Sequence, residues 1–318
     1  TGIFRAWFSL GDVQDAAYLS SMLMGFVFLL IILERLQRGR AAYDSGRQTS
    51  RPLYLYKLTR TQQVLAFLNC LLPFALGFAL PVLQLVSWSI DTAYKVVDPD
   101  FWNLVGNSFV LAVAASFLCV VVATLLIYAV RVNQNHLLQK LSRLAVLGYS
   151  IPGAVIAVGV LVPLLFIDQE VIISIGQYFN SNPGLVLTSS VTALLYAYVV
   201  RFLAVAYNSV EVGFQQIGGS LDEGSRMLGI GPLRTFFRVN LPLIKKALLS
   251  AGLLVFVDVL KELPLTLILR PFDFNTLATK TYQLAGDELV AQSANSALII
   301  VLTGLVPIVL LNRLIANE

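Results

Sequence analysis

The 318 residues are 57% hydrophobic and only 13% charged, with a mean hydropathy of +0.78. That is more apolar surface than a soluble domain of this length can bury in one core, so an ordinary water-soluble fold is excluded and the chain belongs in a bilayer. The net charge of +4 is distributed between apolar runs in the manner of a topology signal, which excludes a nucleic-acid footprint.

The chain opens at Thr1 with neither a methionine nor the charged and apolar pattern of a signal segment. A helix needs about 20 mostly apolar residues to cross the hydrocarbon. Stretches of that kind lie near 17–34, 64–90, 104–130, 144–167, 185–207, 247–269 and 293–314. They predict an all-α, polytopic bundle of about seven transmembrane spans. The second stretch is long and contains Pro73 and Pro81, which predict a kinked or tilted helix, with a tight hairpin as the alternative.

Basic residues collect in cytoplasmic loops, and here they alternate with acidic loops. Arg35, Arg38, Arg40, Arg47, Arg51, Lys57 and Arg60 follow the first span. Arg131, Lys140 and Arg143 follow the third, and Arg226, Arg234, Arg238, Lys245 and Lys246 follow the fifth. The intervening loops carry Asp91, Asp98, Asp100, Asp168, Glu170, Asp273, Asp287 and Glu288. The amino end is therefore expected outside and the carboxyl end in the cytoplasm.

A faint repeat links the two ends. Thr1-Gly2-Ile3-Phe4, then Gly11-Asp12 and a span ending in Glu34-Arg35-Leu36, is similar to Thr279-Lys280-Thr281-Tyr282, then Gly286-Asp287 and a span ending in Asn312-Arg313-Leu314. Aligning them skips three residues, and chance similarity is the alternative. As a true repeat, residues 1–36 would be the last span of an upstream copy, 37–61 a basic cytoplasmic linker, and 62–318 a six-span second copy. Repeated bundles are common in transporters.

In the fourth span, the stretch Tyr149 to Gly159 holds Pro152, Gly153 and Gly159, which weaken the helix and permit close helix contact, fitting either packing or a hinge in a transport path. Arg201 in the fifth span is expected to snorkel to the headgroups. After that span the chain reads Leu221 to Pro242 as LDEGSRMLGIGPLRTFFRVNLP. Ser220 and Glu223 fit an S-x-x-E capping box. Gly229 can take the left-handed conformation that ends a helix, and Pro232 suits the first position of the next. On the second helix Leu233, Phe236, Phe237 and Leu241 are expected on one face, Arg234 and Arg238 on another, with the residue before Pro242 pushed out of helical geometry. This predicts two short helices joined at a glycine elbow, a hairpin over 208–243. Spacing alone leaves open a passive interfacial linker or a functional element.

Asp258, Lys261 and Glu262 sit in the sixth apolar stretch, near its outer end. Three or four residues apart, they share a helix face and can partner one another. They form either a self-neutralising packing cluster or the lining of a path or gate. The nearby lysine argues against a tight metal site there.

The insert supplies the family. Glu223-Gly224-Ser225, Gly229 six residues after the glutamate, and Val239-Asn240-Leu241-Pro242 resemble the E-A-A…G…I-x-L-P loop of ABC importer permeases, with glycine and serine in place of the two alanines. The resemblance implies a type I ABC importer permease fold in which this loop is a coupling helix docking on a cytoplasmic ATPase. Asp222, Glu223, Gly224, Ser225, Arg226, Gly229, Ile230 and Gly231 would then be the ATPase-coupling residues. Leu147-Gly148-Tyr149-Ser150-Ile151-Pro152-Gly153, and Lys261-Glu262-Leu263-Pro264 through Thr279, resemble the ferric-iron branch, whose fused permeases carry two six-span halves. Tyr149, Pro152, Gly153, Asp258, Lys261 and Glu262 are the candidates for a translocation path or gate.

The resemblance further implies a bacterial inner-membrane permease that is not itself an enzyme. Its partners would be an ATPase dimer carrying ATP and Mg, a periplasmic binding protein and an upstream permease half. Polyamine, thiamine, phosphonate and sulfate permeases share much of the pattern, and an ion-coupled secondary transporter is the alternative of another class. No cofactor is expected on this chain. Cys70, Cys119 and His136 are scattered, and no G-x-x-x-x-G-K-[ST] loop is present.

Overall fold

The computed structural model describes residues 13–38, 58–133, 135–178 and 184–316, with Ile3 and Tyr56 as isolated positions. The expected linker at 37–61 and the stretch Thr1 to Asp12 of the repeat lie largely outside the described residues. Every described element is helical. Helix α1 spans Val13–Arg38 and α2 spans Arg60–Val96.

Two prolines sit inside α2, and the way the chain carries them recurs later. Pro81 has no N-H to donate, and in a regular helix its ring would strike a carbonyl one turn back. A π turn at Ala75–Ala79 precedes it, with the Leu80 N-H reaching back to the Ala75 carbonyl. The wider turn lets the helix continue, so the alternative of a tight hairpin is excluded.

Helix α3 (Pro99–Asn133), α6 (Val191–Ile217) and α9 (Lys245–Leu260) pack on one another and form the centre of the bundle. Small residues bring them close. On α3, Ala112, Ala115, Cys119 and Ala123 form a fully buried stripe at helical spacing, and Ala197, Ala206 and Ala251 answer from the other two helices. In a bilayer, lipid is as apolar as leucine, so close packing of small side chains is what holds helices together. Several large apolar residues point outward instead: Val110, Val113, Phe117 and Leu125 of α3 are exposed.

Between α3 and α6 lie α4 (His136–Ala145), a 3-10 turn at Val146–Ser150 and α5 (Gly153–Tyr178). The expected fourth span at 144–167 is therefore shifted. Its first part is a tight 3-10 turn packed on α6, and the helix proper starts after Pro152. It also runs past 167, so Asp168 and Glu170, assigned from sequence to a loop, are helical. Asp168 is fully buried and accepts hydrogen bonds from the Leu187 N-H at 2.9 Å, the Thr188 N-H at 2.8 Å and the Thr188 hydroxyl. Those bonds tie down residues 187–190 as a turn. The fifth span accordingly begins at Val191 rather than 185, with Ser190 capping the Ala193 N-H.

After α6 come α7 (Ser220–Met227) and α8, which covers residues 232–243. Then follow α9, α10 (Pro264–Leu269), α11 (Leu277–Gly286) and α12 (Val290–Ala316). The sixth expected stretch, 247–269, is thus broken at residues 261–263. Among the described residues, five helices are long and apolar enough to cross a membrane: α2, α3, α5, α6 and α12. The other two expected spans are α1, apolar over Gln14–Leu30, and the broken pair α9 and α10. Helix α12 holds the second half of α2 through polar groups: Ser89 donates to Asn295 at 2.8 Å, and Asn295 donates to Thr92 at 2.8 Å. Helix α1 packs on α5 with Ala16 and Ser20 buried.

Candidate functional site

The hairpin expected over 208–243 occupies only 218–243, because α6 continues to Ile217, and it lies where α3 and α6 end and α9 begins. Gly218, at φ +70°, turns the chain out of α6. Gly219 takes the N-cap position of α7, with Ser220 inside the first turn and no side-chain cap. The capping box expected from Ser220 and Glu223 is therefore absent. The free N-H groups of Asp222 and Glu223 are met by the Gly219 carbonyl at 3.1 and 3.2 Å, because the glycine pair lets the helix begin one residue earlier than a serine cap allows.

The elbow is as the sequence predicts. Gly229 adopts φ +72°, the Ile230 N-H reaches the Ser225 carbonyl at 3.0 Å, and the Gly229 N-H reaches the Arg226 carbonyl at 2.9 Å. This pair of bonds is the Schellman arrangement, which satisfies the last carbonyls of α7. No atom lies within 4 Å of a Cβ built on Gly229. Glycine is needed there for conformation alone.

Helix α8 departs from expectation. Pro232 opens it with Gly231 as N-cap, but Leu241 is helical, at φ −59° and ψ −45°, instead of being expelled by Pro242. The device of α2 returns: a π turn at Phe236–Asn240 sends the Leu241 N-H to the Phe236 carbonyl and makes room for the proline. The faces also differ from those expected. Thr235, Phe236 and Asn240 point inward, while Leu233 and Phe237 join Met227 and Leu228 outside. Met227 is 89% and Leu228 80% exposed. Glu223, Gly224, Arg226, Gly229 and Gly231 are exposed with them, Ile230 is half-buried, and Ser225 is buried.

Asp222 faces the opposite way. Its carboxylate takes the Arg131 Nε at 2.5 Å and the Asn240 amide at 2.9 Å. The same guanidinium donates to the Phe214 carbonyl at 2.8 Å and to the Gly218 carbonyl, and it lies over the Phe214 ring. Tyr128, one turn earlier on α3, donates to the Pro232 carbonyl at 2.6 Å and stacks at 4.7 Å on Phe236. Sequence reading missed these partners. Arg131 was visible only as one basic residue after a span.

A second cluster lies deep in the bundle. Helix α9 ends at Leu260, so the expected trio divides. Asp258 and Lys261 pair at 2.8 Å, as their spacing predicts. Glu262, beyond the helix and only 7% exposed, leaves that face: its Oε2 lies 3.2 Å from Arg201 Nε, and its Oε1 accepts the Leu265 N-H at 3.1 Å. Arg201 does not snorkel. Its other nitrogen donates to the Ile151 carbonyl at 3.2 Å. At 1.5 Å per residue the pair sits about 24 Å along α6 from its Ile217 end and about 15 Å from its other end.

Gly153 makes this possible, since a Cβ there would lie 2.5 Å from Arg201 Nη1 and 2.6 Å from Glu262 Oε1. Pro152 is half-buried beside it, and Tyr149 is exposed with its ring 6.5 Å from that of Phe202. Thus Gly153 and Glu262 come together and Pro152 adjoins them, while Asp258 and Lys261 form a separate pair. Among the described residues no three His, Cys, Asp or Glu side chains gather as a metal site.

Residues 129–317 match the family described as binding-protein-dependent transport system inner membrane component. The chain is 27% identical over 98% of its length to the Fe(3+)-transport system permease protein FbpB 2 of Haemophilus influenzae, covering 60% of that protein. It is 27% identical over 80% of its length to a probable ABC transporter permease, y4fN, of Sinorhizobium fredii, covering 46% of it. It is 23% identical over 77% of its length to the ferric transport system permease protein FbpB of Actinobacillus pleuropneumoniae, covering 36% of it. The chain therefore spans between 36% and 60% of the length of these relatives.

Proposed function

This chain belongs to the family of binding-protein-dependent transport inner membrane components, as an ABC importer inner-membrane permease, and on that premise we propose that it imports ferric iron delivered by a periplasmic binding protein. Two relatives whose names specify Fe(3+) or ferric transport support the substrate. Polyamine, thiamine, phosphonate and sulfate remain the competing substrates within the same mechanism.

The observation that carries the mechanism is the hairpin: two short helices locked by a Schellman elbow, with Met227, Leu228, Leu233 and Phe237 presented outward. In this proposal that face, with Glu223, Gly224, Arg226 and Ile230 around it, seats on a separate ATPase subunit in the cytoplasm. Hydrolysis belongs to that subunit, with its ATP and Mg. ATP binds the two states of the complex unequally, which shifts the permease between outward and inward access. A rigid elbow matters because a flexible loop would absorb the motion. The deep cluster of Gly153, Arg201 and Glu262, with Tyr149 and Pro152, is proposed to border the path, and residues 62–318 to act with an upstream half.

The test is uptake of radiolabelled ferric iron by vesicles carrying the full-length permease with its ATPase and binding protein. ATP-dependent accumulation that survives collapse of the proton gradient is expected, and it should be lost in Gly229→Val with the spans still inserted. Uptake that stops with the proton gradient would point to a secondary carrier. Stimulation of ATP hydrolysis by a polyamine or thiamine, without iron uptake, would keep the importer and replace the substrate.

A further inference from the structure

We infer that Arg131 is a positioning residue for energy coupling: with Asp222 and Asn240 it braces the hairpin to the membrane helix α3, so that movement imposed on the hairpin reaches the far end of the bundle. This rests on the importer reading above and reassigns Asp222, expected from sequence to touch the ATPase, to the inside of the molecule.

Three separate pieces of chain meet at this one guanidinium, and a fourth is bound to it through the Asp222 carboxylate. Arg131 itself ends α3, the Phe214 and Gly218 carbonyls are the last acceptors of α6, Asp222 lies in the first turn of α7, and Asn240 lies in the π turn of α8. Arginine suits the place because its planar fork can serve several acceptors while stacking on an aromatic ring, which a lysine cannot reproduce. The side chains of Arg131 and Asp222 are 19% and 15% exposed and Asn240 is fully buried, so water competes little for these bonds. The Tyr128 contacts to Pro232 and Phe236 add a second attachment between the same two elements.

The geometry gives the brace a long arm. Helix α3 runs unbroken from Pro99 to Asn133, about 50 Å at 1.5 Å per residue. It packs along both α6 and α9. A displacement of α7 and α8 is thus transferred to α3 through charge-assisted bonds between partly buried charges, which resist lengthening.

The experiment places the full-length permease with its ATPase subunit in liposomes, with Asn103→Cys at the far end of α3 as a reporter for a membrane-impermeant thiol reagent. In the otherwise unchanged protein, ATP should alter the labelling rate of the reporter. In Arg131→Met the ATPase should remain bound and hydrolytically active, while the ATP-driven change at the reporter is lost; Asp222→Asn should reduce it in the same direction. An unchanged reporter response in Arg131→Met overturns the brace. Loss of ATPase binding in Asp222→Asn overturns it too, since Asp222 would then be a direct contact. If Arg131→Met does not fold, Arg131→Lys, which keeps the charge but not the fork, decides in its place: a full response refutes the transfer to α3 and a diminished one supports it. Failure of the importer reading looks different, because ATP would then leave the reporter unaffected even without the Arg131 substitution.

Discussion

Glycines in this chain do two different jobs, and only one of them is legible without coordinates. Gly229 stands at φ +72° in open space, and a side chain there would meet strain but no obstacle. Gly224 is helical with nothing within 4 Å. Gly224→Ala should therefore stabilise α7 by about 0.5–1 kcal/mol, whereas Gly229→Ala should cost about 1–2 kcal/mol for a left-handed alanine. Thermal unfolding of the two variants in detergent measures the difference, and equal shifts would contradict the assigned elbow. Gly148 and Gly153 are glycines for space. A Cβ on Gly148 would lie 2.0 Å from the Val200 carbonyl oxygen, and that backbone cannot move aside. Gly148→Ala should fail to assemble. Gly153→Ala meets flexible side-chain ends, so it should fold but separate Arg201 from Glu262, with uptake falling more than stability. The elbow glycine could be found from sequence because helix-ending is a local property. The need for space at Gly148 depends on a helix some fifty positions away.

At the scale of elements, the two broken helices explain why hydropathy located the apolar stretches and misplaced their ends. Residues 144–167 and 247–269 are continuous in composition, yet each is interrupted where Arg201 reaches toward it. Nothing in either stretch announces that its carbonyl or carboxylate is bound to an arginine of a third. The same limit hid the division of the expected apolar face of α8, where Phe236 turns inward and Leu233 and Phe237 outward, and the π turn ahead of Pro242.

The ion pair yields a quantitative expectation. Glu262→Gln leaves a buried guanidinium without its countercharge and should destabilise by about 3–5 kcal/mol, whereas replacing both partners, Arg201→Met with Glu262→Leu, should recover most of the loss. Unfolding midpoints of the single and double variants form the cycle. If the double variant is stable and still transports, the pair is packing. If it is stable and fails to transport, the pair belongs to the path. A double variant as unstable as the single one would show that the cost lies in lost hydrogen bonds to Ile151 and Leu265.

For the whole molecule, the orientation argument and the docking argument can be tested together, since both concern which side of the membrane the hairpin occupies. Basic residues concentrate after the first, third and fifth apolar stretches, and the hairpin lies at the end of the bundle that carries Arg131, Lys140 and Arg143. If that asymmetry reflects a cytoplasmic face, a reporter thiol in Met227→Cys should react with an impermeant reagent in inside-out vesicles and stay silent in right-side-out ones. Met227 is 89% exposed and packs on nothing in the bundle, so the substitution leaves the fold intact. Adding the ATPase should then protect the thiol, because Leu228, Leu233 and Phe237 of the same hairpin are also exposed, apolar surface that marks a docking site. Labelling from the other side would invert the topology. Labelling from the expected side without protection would keep the topology and move the ATPase contact away from this face, toward the charged side chains of Glu223 and Arg226.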